Sequence, residues 1–306
     1  MGSKSLSSYE REALKGIHLW KDPKITWFGQ AMRFINWPLD KAGNAAMATP
    51  GIGWIIEKSV SGIVSVANDA AQWSVRPEAI YKEFRNRGHN VLKPKDILKL
   101  DLEEVDKTIG WLAARYKTAG IIEGAATGYA GMPGIPADII ALVTLNLRAI
   151  GEYATYCGFD VSAQHERLFA MNVLGLASSP NDTAKSVAMA QLVKIAREVA
   201  KKKAWKDLEK HAFVKVIQLI AKALGIRLTK AKLAQFIPKV GAVVGGGFNG
   251  YYTRKVCDAA YHLYRERLLA RKYGDDDMIE VTVEPPDGLE PGYEQDIKEL
   301  EPRHQD

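Results

Sequence analysis

Cysteine is scarce, with two in 306 residues, Cys157 and Cys257. They form neither a C-x-x-C nor a framework spacing, and both sit inside apolar helical patterns. That argues against a disulfide scaffold and for buried free thiols in a reducing compartment. The histidines are equally dispersed. His18, His89, His165, His211, His262 and His304 give no H-E-x-x-H and no Cys/His ligand set, so no metal and no cofactor is expected. A G-x-S-x-G nucleophile turn and a G-x-x-x-x-G-K-[ST] phosphate loop are also missing.

Long apolar runs are missing too. The opening, MGSKSLSSYEREALK, has no apolar stretch of the kind a secretory leader needs, and the myristoylation pattern fails at Leu6. Eighteen consecutive apolar residues occur nowhere, because Glu123, Asp138 and Lys239 interrupt the best candidates. Sustained apolar/polar alternation is absent from the body, which removes the main signal for strands.

Helix signals fill the chain instead. Ser7-x-x-Glu10 is a capping box. Thr49-Pro50 opens a helix expected to run to about Trp73, and Pro77 opens a short one. Asp101-x-x-Glu104 is expected to start a long helix through Trp111 and Tyr116 to the region of Gly120. Gly and Pro crowd 128–139, so the chain turns there and restarts at Pro136, with Gly158 as a stop. Helices are further expected over 163–177, 183–203 and 205–224, the last capped by Gly225, and from Pro238 to about Lys272. The expected fold class is all-α, a multi-helix bundle of roughly nine to eleven helices.

Charge is uneven. From Gly274 onward there are 12 acids and two bases. The preceding body therefore carries 40 bases against 24 acids, a net of +16. Such a body favours anionic surfaces. The tail, with four prolines and few apolar residues, reads as mostly disordered apart from a short strand signal at 278–283.

The segment KVGAVVGGGFNGYYTRKV, 239–256, formally contains G-x-G-x-x-G at Gly245, Gly247 and Gly250. A dinucleotide site needs a strand before it and a βαβ unit around it, and neither is legible. The informative spacing is four: Gly241 with Gly245, Gly246 with Gly250, and Gly120, Gly124 and Gly128 in TAGIIEGAATGYAG. Glycines at this spacing clear one helix face and let a second backbone come close. Two glycine-rich helical hairpins, closely packed, are expected.

The segments EGAATGYAGMPGIPADIIALVTLNLRAIGEYATYCGFD (123–160) and IPKVGAVVGGGFNGYYTRKVCDAAYHLYRERLL (237–269) resemble the EcsC family in residues, order and separation. The resemblance covers about Thr49 to Lys272. It implies a bacterial helical protein and, through the founding member's link to an ABC-transporter operon, membrane transport machinery as a partner. It carries no catalytic residues over. The chain is accordingly divided into an aromatic-rich N-terminal helical arm (1–48), an EcsC-like helical domain (49–273) and the acidic tail (274–306).

Polar residues embedded in apolar helical stretches are the ligand-pocket candidates: Glu123, Asp138, Asn146, Arg148, Asn249, Thr253, Arg254, Asp258 and His262. Buried charges must be paired, so Glu123 or Asp138 with Arg148 or Arg254 is the expected pairing. Asp138 is also placed to stabilise a helix start. Asp258 and His262, at i and i+4, can share a metal or a proton. Membrane-surface candidates are Lys201, Lys202, Lys203 and Lys206 beside Trp205, a second basic stretch at 226–239, and Trp20, Trp27 and Trp37. The tryptophans could equally dock on the helical body. Nucleic acid is disfavoured, since no helix-turn-helix, RRM or zinc pattern accompanies the charge. The expected protein is cytoplasmic and peripheral on the inner face of the cell membrane. It is a binding or scaffold protein for anionic lipid that can hold a lipid-like ligand, with a lipid or peptide hydrolase as the alternative. A cluster of Glu123, Asp138, Asn249, Asp258 and His262 in one pocket would favour the enzyme, and a dry glycine seam the binding protein.

Overall fold

The computed structural model describes residues 5–21, 50–127, 131–179, 188–189, 192, 210–235, 247–275 and 278–279. Every regular element among them is helical: α1 (Ser8–Lys21), α2 (Ile52–Asn68), a 3-10 turn (Ala70–Trp73), α3 (Pro77–Asn86), the short α4 (Pro94–Ile97), α5 (Leu102–Ile109), α6 (Leu112–Thr127), α7 (Gly131–Tyr156), α8 (Gln164–Ala177), α9 (Lys210–Gln235) and α10 (Phe248–Tyr273). The all-α fold class holds.

The centre is α7, which packs against α2, α6, α8, α9 and α10. Its residues Ile139, Leu142, Val143, Leu147, Ile150 and Ala154 are all buried. By length and composition α7 could cross a membrane, yet most of its apolar stretch is enclosed by its neighbours, as in a core helix. Cys157 and Cys257 are buried free thiols, and burial pushes both thiol pKa values up.

Local signals mostly act as read. The Ser7 N–H donates to Glu10 Oε2 at 2.9 Å and the Glu10 N–H to Ser7 Oγ at 3.1 Å, a complete capping box. Gly158 ends α7 with φ +79°, and the Phe159 N–H reaches back to the Ala154 carbonyl at 2.8 Å. Three expectations change. The helix from Asp101 is broken at Gly110 (φ +49°) into α5 and α6, and the Asp101 side chain makes no cap bond but pairs with Lys272. Pro136 lies inside α7, which already starts at Gly131; at the sixth helical position its missing N–H leaves the Met132 carbonyl without its i+4 donor, yet the helix continues through it. Gly225 is not a cap: α9 runs straight through it, and a Cβ there would stand 2.7 Å from Val60 Cγ2, so the glycine admits α2. The turn expected at 179–182, the helix at 183–203, and Gly128, Gly241, Gly245 and Gly246 lie largely or wholly outside the described residues.

Helix α10 is the polar spine, tied to its neighbours by buried charges. Arg267 makes a bidentate pair with Glu166 of α8 at 2.8 and 2.7 Å, and its guanidinium lies 4.1–4.2 Å from the rings of Phe159 and Phe169. Arg265 meets Asp106 of α5 at 2.6 Å. Ties from α10 to α1 include Lys21 to Glu266, the Trp20 indole N–H to Asp258 at 2.8 Å, and Lys272 and Tyr273 to Glu10 at 2.7 and 2.5 Å. Burial opposes ionisation of Glu10, but hydrogen bonds from Lys272, Tyr273 and the Ser7 N–H outweigh it and hold the pKa at about 2.

Helices α6 and α10 cross antiparallel through the glycines. A Cβ on Gly120 would lie 2.8 Å from Thr253 Oγ1 and 3.0 Å from the Asn249 carbonyl. One on Gly124 would lie 2.9 Å from the Asn249 amide, and one on Gly250 would strike Ile121. Gly16, mid-way along α1, has nothing within 4 Å of the same position. Gly120→Ala is therefore expected to destabilise by about 1–3 kcal/mol through overpacking. Gly16→Ala should stabilise by up to about 1 kcal/mol through helix propensity. Urea unfolding of the two variants beside the parent measures both, and equal midpoints for all three would remove the seam.

The start of the acidic tail also packs: Ile279 is 2% exposed and joins the core, and Met278 lies against it. Met278 and Ile279 are not in a strand. Truncation after Ile279 is expected to leave the melting temperature within a few degrees of the parent. Ile279→Ser in the full chain should lower it by more, because a buried aliphatic side chain contributes about 1.5–3 kcal/mol.

Candidate functional site: a buried polar cluster at the α6–α10 crossing

The seam positions a polar cluster contributed by four helices. Glu123 comes from α6, Asp138 from α7, Lys232 from α9 and Asn249 from the first turn of α10. The Asn249 side chain is the hub and is 1% exposed. Its amide donates to Glu123 Oε2 and, at 3.1 Å, to Asp138 Oδ1. Its carbonyl oxygen accepts from Lys232 Nζ, which also pairs with Asp138 Oδ2. Gly124 is what lets the amide sit against α6, since a Cβ there would overlap it. One turn further along the same face, Thr253 lies against Gly120 and accepts from Asn146 Nδ2 at 3.2 Å. Asn146 also donates to the Leu142 carbonyl at 2.8 Å.

The structure thus brings together five of the nine sequence candidates: Glu123, Asp138, Asn146, Asn249 and Thr253. Asp258 and His262 lie elsewhere, Asp258 nine residues or about 13 Å beyond the hub Asn249 along α10. There His262 stacks on Trp20 with ring centroids 4.8 Å apart, and Asp258 holds the indole N–H. Trp20 therefore docks on the helical body, the alternative left open for it. Trp27, Trp37, Lys201, Lys202, Lys203 and Lys206 lie outside the described residues. Arg148 does not pair with Glu123 or Asp138. It and Arg115 flank Glu152, at 3.3 and 2.9 Å. Arg254 is exposed. Asp138 stabilises no helix end, since α7 starts seven residues earlier and the carboxylate is buried against Lys232.

Lys232 is the member the sequence reading missed. In the sequence it belongs to a basic stretch at 226–239 that reads as a surface face, but it is 5% exposed, and Leu228 and Leu233 are core residues. The signal was present: Lys232 follows Leu228 by four residues, so the two share a helix face.

Among the described residues the cluster is two carboxylates against one ammonium. Burial first, and then the negative charge of Asp138, push the Glu123 carboxyl up to about 7. Burial lowers the Lys232 pKa against the opposing pull of Asp138. Asp138 already carries its own cation. Among the described residues no group of three or more His, Cys, Asp or Glu side chains is placed to hold a metal. The arrangement can bind and release one proton near neutral pH, and the carboxyl that does so is only partly buried.

A carboxyl raised in the folded state binds its proton more tightly there than in the unfolded chain. Its stabilising contribution is complete below about pH 4.5 and is lost as pH rises through about 7. Glu123→Gln, which keeps the hydrogen-bonding shape without the charge, should match the parent in urea midpoint at pH 5 and exceed it at pH 8. A difference between the two proteins that does not change with pH would show that Glu123 titrates normally.

The EcsC protein family model matches residues 12–269, from within α1 to near the end of α10. The chain is 22% identical over 268 residues to "Uncharacterized protein YdbA" of Bacillus subtilis strain 168, covering 85% of this chain and 93% of that protein. It is 27% identical over 189 residues to "Protein EcsC" of the same organism, covering 61% and 74% respectively. No solved structure matches. The family match takes in all four helices that build the buried cluster, and the chain belongs to the EcsC protein family.

Proposed function

We propose that this EcsC-family chain is a peripheral membrane-associated binding or scaffold protein. It docks on anionic lipid at the inner face of a bacterial cell membrane, beside membrane transport machinery. The observation that carries this reading is the outer face of α6. Trp111, Ala114, Thr118, Ile121 and Ala125 recur at alternating steps of three and four, with Ile122 beside them, and all are exposed. Trp111 is 87% and Ile122 64% exposed, and with Ile121 they put three of the exposed large apolar side chains of the described residues on one helix; Leu92 and Trp54 are exposed elsewhere. A single largely uncharged helix face on a body of net charge +16 matches an interfacial helix on an acidic bilayer. The transport neighbour rests on the family resemblance alone.

A lipid-like ligand held between α6 and α10 is not supported, because their glycine contacts leave no room for even one added carbon. The hydrolase alternative draws only on Glu123, whose pKa near neutrality suits a general acid. Its expected companions Asp258 and His262 stand apart, so the binding reading is preferred.

Flotation of the full chain with phosphatidylglycerol-containing vesicles tests the proposal. Binding should weaken with salt without vanishing, and pure phosphatidylcholine vesicles should bind weakly. Changing Lys201, Lys202, Lys203 and Lys206 to Gln should remove most of the salt-sensitive part. Trp111→Ser with Ile122→Ser should remove most of the salt-resistant part, and Trp27→Ser with Trp37→Ser the remainder. Failure to float with acidic vesicles at low salt would overturn the reading.

A further inference from the structure

At the other end of α10, about 33 Å from Asn249 along the helix axis, three segments converge on a half-open cavity of about 430 Å³. These are the chain entering α4, the turn from Gly158 into α8, and the last turn of α10. We propose that this cavity is a binding site for a small phosphomonoester, a phosphate carried on a compact organic group. The proposal does not depend on the membrane reading.

Charge is the first support. Lys93, Lys95 and Arg271 line the cavity from two different segments, and none has a carboxylate within 4 Å among the described residues. Elsewhere in the body, buried cations are matched: Arg267, Arg265, Lys232, Lys21 and Lys272 each hold an acid. Two acids also line the cavity. Glu166 is neutralised by its bidentate bond to Arg267, and Asp160 Oδ1 is taken up by the Ser162 N–H at 2.9 Å. Three cations against one uncompensated acid leave a local excess of positive charge, which suits a dianion.

Shape and backbone give the second support. Helix α8, 14 residues long, begins at this cavity, and its N-cap residue, Ala163, offers no side-chain acceptor to the first-turn N–H groups. A helix start without a cap presents partial positive charge to an anion. At the opposing end of α7 the Ala154 and Thr155 carbonyls already accept from Phe159 and Gly158. Gly158 is required here, since a Cβ would lie 2.8 Å from the Pro94 carbonyl and close the approach of the two segments. The Arg271 guanidinium is positioned by the Phe159 ring, 5.4 Å from its centroid. His165, a further lining residue, is held below its usual pKa by burial and so acts as a neutral hydrogen-bonding group. The volume lies within the range of small-ligand sites and far exceeds a bare phosphate, which is why an organic group is part of the assignment.

Isothermal titration of the full chain with phenyl phosphate and with inorganic phosphate tests this. Phenyl phosphate is expected to bind at one saturable site, and more tightly than inorganic phosphate. Lys93→Gln with Lys95→Gln, and Arg271→Gln, should each weaken it at least tenfold. These side chains are exposed, so folding is not at stake. Ala163→Phe fills the cavity without changing charge and should abolish binding. Lys222→Gln, an exposed charge change on α9, should have no effect. A second arm uses vesicles containing phosphatidic acid. If vesicle binding falls with Lys93→Gln and Lys95→Gln and is competed by phenyl phosphate, the phosphomonoester is a lipid headgroup; if it is indifferent to both, the ligand is a soluble molecule. No saturable binding of phenyl phosphate, or binding that survives Ala163→Phe or falls equally with Lys222→Gln, overturns the site.

Discussion

The close approach of α6 to α10 is the constraint on which the rest of the described structure rests. Removing two side chains at Gly120 and Gly124 costs about 1 kcal/mol each in helix propensity. The space released is filled by the Asn249 amide and the Thr253 hydroxyl, which carry hydrogen bonds into α7 and α9. Hydrogen bonds with a charged partner contribute about 1.5–3 kcal/mol, so the exchange is favourable only because both carboxylates and the ammonium are in place. A cluster of this kind is sensitive to any missing member, since a buried charge left without its partner is costly. Four helices are thereby held in one register at a point where apolar packing alone would tolerate sliding.

The remainder of α10 repeats the same device. Arg265, Glu266 and Arg267 are buried and Lys272 half-buried, and together they pair with three elements: α5, α8 and, at its two ends, α1. Ion pairs of this kind add little net stability compared with an apolar core, but they choose one arrangement among many. They explain how a helix whose sequence is rich in arginine and lysine can lie inside the molecule. They also draw α1 onto the body, with the capping carboxylate of Glu10 serving both its own helix and the end of α10.

Two features are left outward-facing by this packing. One is the uncharged stripe on α6, whose inner glycine face is consumed by α10 while Trp111 and Ile122 on its outer side stay exposed. The other is the cationic cavity beyond the far end of α7, where three cations meet without a matching set of acids. Glu123, whose carboxyl is raised to about 7, stands beside the glycine seam and is only partly buried.

Much of this was legible in the residues themselves. The capping box at Ser7 and Glu10, the stop at Gly158 and the helical period depend on neighbours within a turn or two, so local chemistry determines them. The four-residue spacing of Gly120 and Gly124 likewise announces a helix contact, and Asn249 and Thr253 stand out as polar residues in a glycine-rich stretch. Partner choice was not legible. Asp138 selected Lys232, a residue 94 positions away that reads as part of a basic surface, and Arg148 selected Glu152 on its own helix. Gly225 and Pro136 carry the marks of helix ends, yet α9 passes through one because α2 needs the space, and α7 starts ahead of the other. The sequence by itself determined which segments coil into helices and which faces can approach closely. Only the tertiary structure decided which charges meet, because a buried charge is satisfied by whichever opposite group the crossing helices bring within hydrogen-bonding distance, and that distance is set in space, not along the chain.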